Sequence, residues 1–434
     1  MMVNYTQEID KYLRRLFPIT RSIAGNGNRE TLEILKEIIP IKIIEYPSGK
    51  KVYDWIIPNE WNIKDAWIKN SKGEKVIDFK LSNLHVVNYS IPIHGFFTFN
   101  ELKYRLYYLE GLPDAIPYRT TYYNKNWGFC LSYNDYNNNF FHNETYEVFI
   151  DSEHKSGSLS IGEILINGAS QKEYLISTYI CHPSLANDNL SGPILTAFLA
   201  KEIVSKTLNF SYRIVFLPET IGAITYCAYN ETIMKQIEAG FVITTVGGPG
   251  DFGYKQSFNS EHPINNIIES VFKTNKIDFK CYPFDPIGSD ERQYSSQGFR
   301  INIASITKDK YYEYDYYHTS KDNLDYVKAE NINKTLNLYL QAIDLIDNDL
   351  TYINNNTNCE VMLSKYGLYP DIGGDNKPKK NGMCELDIML WLLFYCDGRM
   401  SMCEISKKLN CALDVLLPIV EKLKKKNIIE KLRL

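Results

Sequence analysis

The 434 residues predict an α/β protein with a mostly parallel sheet, carrying an inserted β-rich domain and a C-terminal winged helix-turn-helix. Three observations carry that expectation. Between residues 146 and 347, short apolar runs alternate with helical patterns, the rhythm of a parallel sheet covered on both faces. Residues 46–130 are instead rich in aromatic and β-branched residues, broken by turn signals such as Asn70-Ser71-Lys72-Gly73 and Glu110-Gly111-Leu112-Pro113. Residues 383–434 hold three short helical patterns and a final strand pattern. The expected organisation is therefore an α/β domain from 1–45 and 131–350, the β-rich insert at 46–130, a linker at 351–382 and the winged-helix domain at 383–434.

The elements follow in order. Residues 4–17 place Ile9, Tyr12, Leu13 and Leu16 at helical spacing, and 28–39 read as a second helix. The β-rich insert reads as an appendage or oligomerisation surface rather than a direct part of a catalytic centre. Within it, residues 116–123 and 126–130 combine Arg119 with aromatics, which suits either a ligand grip or a packed seam between domains. Strands are expected at 146–150 and 159–166, both in the α/β domain. The run 174–180 reads as a buried strand that ends in Cys181-His182-Pro183. A loop with Asp188 follows, and Ser191-Gly192-Pro193 opens an apolar helix at 194–204. Strand 212–217 ends in Pro218-Glu219-Thr220. Helix 223–237, strand 241–246, helix 263–274, a loop with Asp290 and Arg292, strand 300–306, a loop at 311–325 and helix 328–347 complete the domain.

Residues 348–380, with Gly373-Gly374 and Pro378, read as a linker with some local order. Helices are then expected at 385–395, 401–409 and 413–426, with a strand at 427–432. Leu386, Leu390, Leu393 and Phe394 form one expected apolar stripe; Leu413, Leu416, Val420 and Leu423 form another.

Composition narrows the function classes. A hydrophobic fraction of 44% and a charged fraction of 23% are ordinary for a globular protein, and a net charge of -4 speaks against general polyanion binding. From 383 to 434 there are nine basic and seven acidic residues, 9 − 7 = +2, a weak balance for a DNA reader. That module is expected to pack on protein instead. The first residues carry charges where a signal peptide needs an apolar run, and no later stretch approaches ~18 apolar residues. The nine cysteines are scattered and without a CxxC pair, which fits reduced thiols and a cytoplasmic location.

The chemistry gathers at strand ends. His182 and Asp188 follow one strand, Glu219 follows the next, and His318 lies after the strand at 300–306. Ends of parallel strands converge on one edge of a sheet, the usual place for a site in open α/β folds. A zinc hydrolase needs about three protein ligands and a carboxylate that takes a proton from water. His182, Asp188 and His318 would meet the first need and Glu219 the second. The bland alternative is four unrelated loop residues, each capping or bridging locally.

These residues also resemble a family. Asn187-Asp188-Asn189-Leu190-Ser191-Gly192 resembles the D-N-x-S-G segment of M28-type zinc aminopeptidases, whose Asp binds metal. Residues 215–222 resemble the segment with that family's paired Glu, and Gly288-Ser289-Asp290 resembles its G-S-D-H loop. Residues 318–325 are similar to its H-T-x-x-D-x-x-D ending, whose His binds metal. The whole chain looks like the aminopeptidase-like proteins that carry a C-terminal winged helix. The resemblance implies a sheet of the zinc-exopeptidase type and hydrolysis of a peptide or other amide.

Three positions depart from the family pattern. The H-x-D motif reads His182-Pro183-Ser184, the second Glu of the pair is Thr220, and Thr244-Thr245 stand where an acidic ligand is expected. Two metals need more carboxylates than remain, so one zinc is expected, held by His182, Asp188 and His318, with Glu219 as the general base. Arg292 or Arg119 could grip a substrate carboxylate, Asp290 and Glu291 could meet an amine, and Tyr317 is a further substrate-contact candidate. Partners are expected to be a small peptide or amide, with no membrane and no nucleic acid; homo-oligomer formation stays open. Two other readings also stay open: a metal- or ligand-binding relative without catalysis, and a regulator that uses the winged helix.

Overall fold

The computed structural model describes residues 2–370 and 383–432. They fall into two compact units, Met1–Ser260 with Asp278–Tyr339, and Glu261–Ile277 with Leu340–Leu434.

The first unit is built on an eight-stranded sheet. Its order is Lys42–Pro47, Ser158–Ile166, Ser211–Leu217, Glu173–Tyr179, Ile237–Val242, Asn302–Lys308, Phe252–Lys255 and Phe279–Tyr282. The four middle strands, Ser211–Leu217 through Asn302–Lys308, run parallel, and antiparallel strands flank them. Continuous burial of Ser211–Leu217 matches a strand covered on both faces. The helix Ser191–Ile203 is buried almost all round, so it has no polar face to lay on solvent. From Glu173–Tyr179 the chain crosses to Ser211–Leu217 on one side, then to Ile237–Val242 on the other. That makes the end of Glu173–Tyr179 the topological switch point, where an open sheet leaves a crevice.

The insert is larger than its sequence suggests. Its sheet runs Lys75–Asp78, Glu60–Lys69, Thr145–Lys155, Ile93–Thr98, all antiparallel. Thr145–Lys155, whose 146–150 core was assigned to the α/β domain, is thus an inner strand of the insert, beyond the expected boundary at 130. Its alternation is the clue: Tyr146, Val148, Ile150 and Ser152 are buried while their neighbours are not, the pattern of a sheet with one wet face. The core of the main sheet also takes in Trp61, Tyr89 and Tyr122 from the insert.

Other boundaries move for local reasons. The expected helix 223–237 is two helices, Ile221–Tyr229 and Glu231–Met234, and Ile237 already begins the next strand. That strand starts among small and polar residues: a Cβ on Gly240 would lie 2.0 Å from the Leu175 carbonyl oxygen, so only glycine fits there. Its apolar run at 241 hid its true start. No helix among the described residues is long and apolar enough to cross a membrane.

The second unit holds the helices Glu385–Tyr395, Met402–Leu409 and Leu413–Lys425 and a sheet ordered Asp397–Ser401, Thr351–Asn354, Ile429–Lys431. Thr351–Asn354, within the expected linker, is the middle strand of this sheet. Residues 371–382 of the expected linker, with Gly373-Gly374 and Pro378, and residues 433–434 lie outside the described residues. Leu413, Leu416, Val420 and Leu423 are buried together, as their spacing predicts. The first stripe is different: Ile388, Met389, Leu392 and Leu393 are buried, while Leu390 and Phe394 are exposed. Apolar residues surround that helix, so spacing alone cannot select the buried face.

Candidate metal centre

Four polar side chains meet at the switch point. Glu173–Tyr179 ends just before Ile180, Cys181 and His182, all buried. The next turn, Ala186–Leu190, carries Asp188, which is 1% exposed and lies on a cis peptide bond to Asn189. Asp322 fixes this turn from below: its carboxylate accepts the backbone N–H groups of Asn187 at 2.6 Å and Asp188 at 2.9 Å. Tyr314 donates its hydroxyl to the same carboxylate at 2.9 Å. Burial pushes the Asp322 carboxyl up to about 7.

The ligand atoms of His182, Asp188 and His318 lie within 4.8 Å of one another. His318 Nε2 is 2.9 Å from Asp188 Oδ2. The contact is an ion pair when the ring is protonated, and neither buried atom has another hydrogen-bond partner. With the ring neutral, two such atoms can instead share a cation. The donor set, two imidazoles and a carboxylate, is one that zinc accepts. Burial holds the His182 imidazole down at about 4, so it is neutral and its lone pair is available. Burial opposes ionisation of Asp188, but His182 and His318 outweigh it and hold the carboxyl below its usual range.

The other oxygen of Asp188 is taken. Oδ1 accepts the Tyr179 hydroxyl, which also meets Thr244 Oγ1 at 2.6 Å. Asp188 therefore leaves only Oδ2 to face His318 and His182. Thr244, standing where an acidic ligand is expected, completes the chain that occupies the second oxygen.

Glu219 follows Ser211–Leu217, with its Oε2 3.9 Å from His182 Nε2 and its side chain about one-quarter exposed, at 25%. Burial, reinforced by Asp290 and Asp188, pushes its carboxyl well above the usual range. Asp290, fully buried, accepts the Thr220 backbone N–H at 2.7 Å; its second oxygen has no partner, and burial pushes it up to about 7. Arg292 donates to Thr220 Oγ1 at 3.3 Å. Tyr317 stacks on His318 with ring centroids 3.9 Å apart. Thus Tyr317 lies against His318, while Asp290 and Arg292 contact Thr220 beside Glu219. Arg119 does not join them: it is exposed and its charge bears on Cys130 of the insert.

The stretch 116–123 forms a seam, and the seam reaches the centre. Tyr118 donates its backbone N–H to the His318 carbonyl at 2.7 Å, Pro117 and Thr319 form a β-bridge, and Ser320 donates to the Ile116 carbonyl at 2.8 Å. The Tyr118 ring lies 5.1 Å from the His182 ring and 5.2 Å from that of His318. The insert therefore supplies a wall of the site, contrary to its reading as an appendage. Arg21 is a second residue that spacing does not reveal. Its buried guanidinium donates to the His182 carbonyl at 2.8 Å and the Leu16 carbonyl at 2.7 Å. Tyr118 and Arg21 act through contacts distant in sequence; Asp322 stands inside the 318–325 motif and was within reach.

The chain matches the family model described as a domain of unknown function, DUF4910, over residues 10–349, and a winged helix-turn-helix model over 350–431. A Clostridium acetobutylicum protein, named provisionally as a polysaccharide biosynthesis protein with an aminopeptidase-like domain, is 44% identical over 401 residues, 92% of this chain and 91% of that one. A crystal structure of a Clostridium acetobutylicum protein, named provisionally as a peptidase, is 40% identical with a TM-score of 0.88, covering 98% of this chain and 96% of that one. A zinc aminopeptidase from Bacillus subtilis is 12% identical with a TM-score of 0.57, covering 79% of this chain and 95% of that one, and shares the fold.

Proposed function

The chain belongs to the DUF4910 family, and from that premise we propose that it is a single-zinc hydrolase of a peptide or other amide bond. The observation that carries the proposal is the close approach of His318 Nε2 to Asp188 Oδ2 beside His182, with no other partner for either atom. His182, Asp188 and His318 would hold the ion. A zinc ion there would supply Lewis acidity toward a carbonyl oxygen and lower the pKa of water. Glu219 takes the proton from the attacking water on a carboxylate oxygen and returns it to the leaving nitrogen. Tyr118 and Tyr317 wall the site with apolar ring surface. Arg292 would meet a substrate carboxylate, or Asp290 an amine. One metal, rather than two, is supported by Thr220 and Thr244-Thr245 and by the capping of Asp188 Oδ1 by Tyr179.

The test is elemental analysis of metal-stripped protein reconstituted with zinc, followed by turnover on an amide panel. One equivalent per chain is expected; two held with similar affinity overturn the single-metal reading. The name of the Clostridium relative links that protein to polysaccharide biosynthesis, so the panel includes N-acylated amino sugars beside aminoacyl and carboxyl-terminal peptides. The depleted carboxylate set also favours a second reading, a metal-binding relative without catalysis, which one zinc with no turnover across the panel would support.

The winged-helix domain is proposed to pack on protein, in keeping with a chain that works in the cytoplasm. Lys422 pairs with Glu385, Lys424 with Glu421 and Lys407 with Glu261, so three of the nine basic side chains are engaged with carboxylates, and the net +2 of residues 383–434 is a weak balance for phosphates. The full chain titrated with random duplex DNA at low salt is expected to show no micromolar binding. Binding at that level that disappears when Lys424, Lys425 and Lys426 are replaced by Ala would overturn the assignment.

A further inference from the structure

We propose that Cys181 is the positioning residue of the metal centre: its sulfur accepts the Nδ1–H of His182 and thereby aims Nε2 at the ion. The inference rests on the zinc reading above and adds the means by which one ligand is held.

A metal-binding imidazole uses one ring nitrogen for the ion, and the other needs a fixed acceptor if the ring is to keep its tautomer and its angle. In this chain His182 Nε2 lies 3.9 Å from Glu219 Oε2, and the His182 ring offers a nitrogen within 4.8 Å of the ligand atoms of Asp188 and His318. His182 Nδ1 faces Cys181 Sγ at 3.4 Å, within range of a hydrogen bond to sulfur. Among the described residues no carboxylate or carbonyl meets that nitrogen. The same sulfur accepts the backbone N–H of Glu219 at 3.3 Å. Cys181 is 2% exposed and forms no disulfide. One buried sulfur thus ties the ring of a proposed ligand to the backbone of the proposed base, across neighbouring strands. Because Arg21 holds the His182 carbonyl at 2.8 Å, the residue is fixed at both its backbone and its ring.

The consequence is chemical as well as geometric. A neutral sulfur is a weaker acceptor than a carboxylate. It orients the ring but lends it little negative charge, so the ion would keep more of its positive charge for the substrate.

The experiment compares Cys181→Ala and Cys181→Ser with the parent chain in zinc and cobalt(II) binding, with thermal melts to establish folding. Cys181→Ala is expected to bind zinc ~10–100-fold more weakly, the scale for losing such a support, and Cys181→Ser to recover part of the loss. Unchanged affinity in a folded Cys181→Ala variant overturns the proposal. So does a sulfur-to-cobalt charge-transfer band in the parent chain that vanishes in Cys181→Ser, because the thiol would then be a ligand. A second measurement needs no metal: nitrogen NMR of the His182 ring is expected to show the Nδ1-protonated tautomer in the parent chain and a mixture in Cys181→Ala. The same tautomer in both overturns the proposal. Zinc binding absent from the parent chain, with that tautomer difference present, strikes the zinc reading and supports the Cys181 contact.

Discussion

His318→Ala is expected to strip the chain of zinc, lowering affinity by more than ~100-fold while leaving the protein folded. Three protein ligands are about the fewest that hold a catalytic zinc with a place left for water, so losing one leaves two. The loss should exceed the ~10–100-fold cost of removing a residue that merely supports a ligand. The fold should survive because the His318 side chain is 33% exposed and its backbone is anchored independently. Tyr118 N–H binds the His318 carbonyl, and the Pro117–Thr319 bridge and the Ser320–Ile116 bond flank it. The check is isothermal titration of stripped protein with zinc, paired with thermal melts in zinc and in chelator. Zinc raises the melting temperature only if it binds the native state better than the unfolded one, so the parent chain should show that rise and the variant should not. A variant that still takes one zinc at parental affinity removes His318 from the ligand set.

How much of this centre could be read from sequence depends on how each residue reaches it. His182, Asp188 and Glu219 sit just past continuous apolar runs, and such runs can be located without a structure. Parallel topology then forces their ends to one edge, so residues 31 or more positions apart become neighbours in the expectation before any contact is known, as from Asp188 to Glu219. Tyr118 and Arg21 have no such rule behind them. Each lies in a segment whose own pattern says only turn or seam, and its role comes from meeting residues more than 60 positions away. The insert shows the same limit. The alternation in Thr145–Lys155 was available, but its partner strands Glu60–Lys69 and Ile93–Thr98 are distant, and pairing rather than pattern decides which sheet owns it. In Glu385–Tyr395 the difficulty is local: with apolar residues on every face, only the opposing helix chooses which side is buried.

Glu219→Gln is expected to keep the zinc and lose turnover by at least ~100-fold, the scale for removing a general base. The substitution preserves shape and the backbone contact to Cys181, since that bond uses the Glu219 N–H. What it removes is the ability to hold a proton in transit, the role proposed for this side chain. Retention of metal follows from geometry. The ligand atoms of His182, Asp188 and His318 already converge without Glu219, whose Oε2 stands 3.9 Å from His182 Nε2. A carboxylate that is partly solvent-accessible beside the triad is placed to reach water. The Glu219 surroundings, with Asp290 and Asp188 nearby, favour a carboxyl that takes up a proton readily in the metal-free state, and a bound cation would oppose that pull. Zinc stoichiometry and kcat measured on the same preparation separate the two roles. One zinc with turnover reduced by two orders of magnitude or more supports the base. A Gln variant that has lost its zinc makes Glu219 a ligand, and in that case the proton must be carried by another group, with Asp290, a buried carboxyl whose charge bears on Glu219, the first candidate.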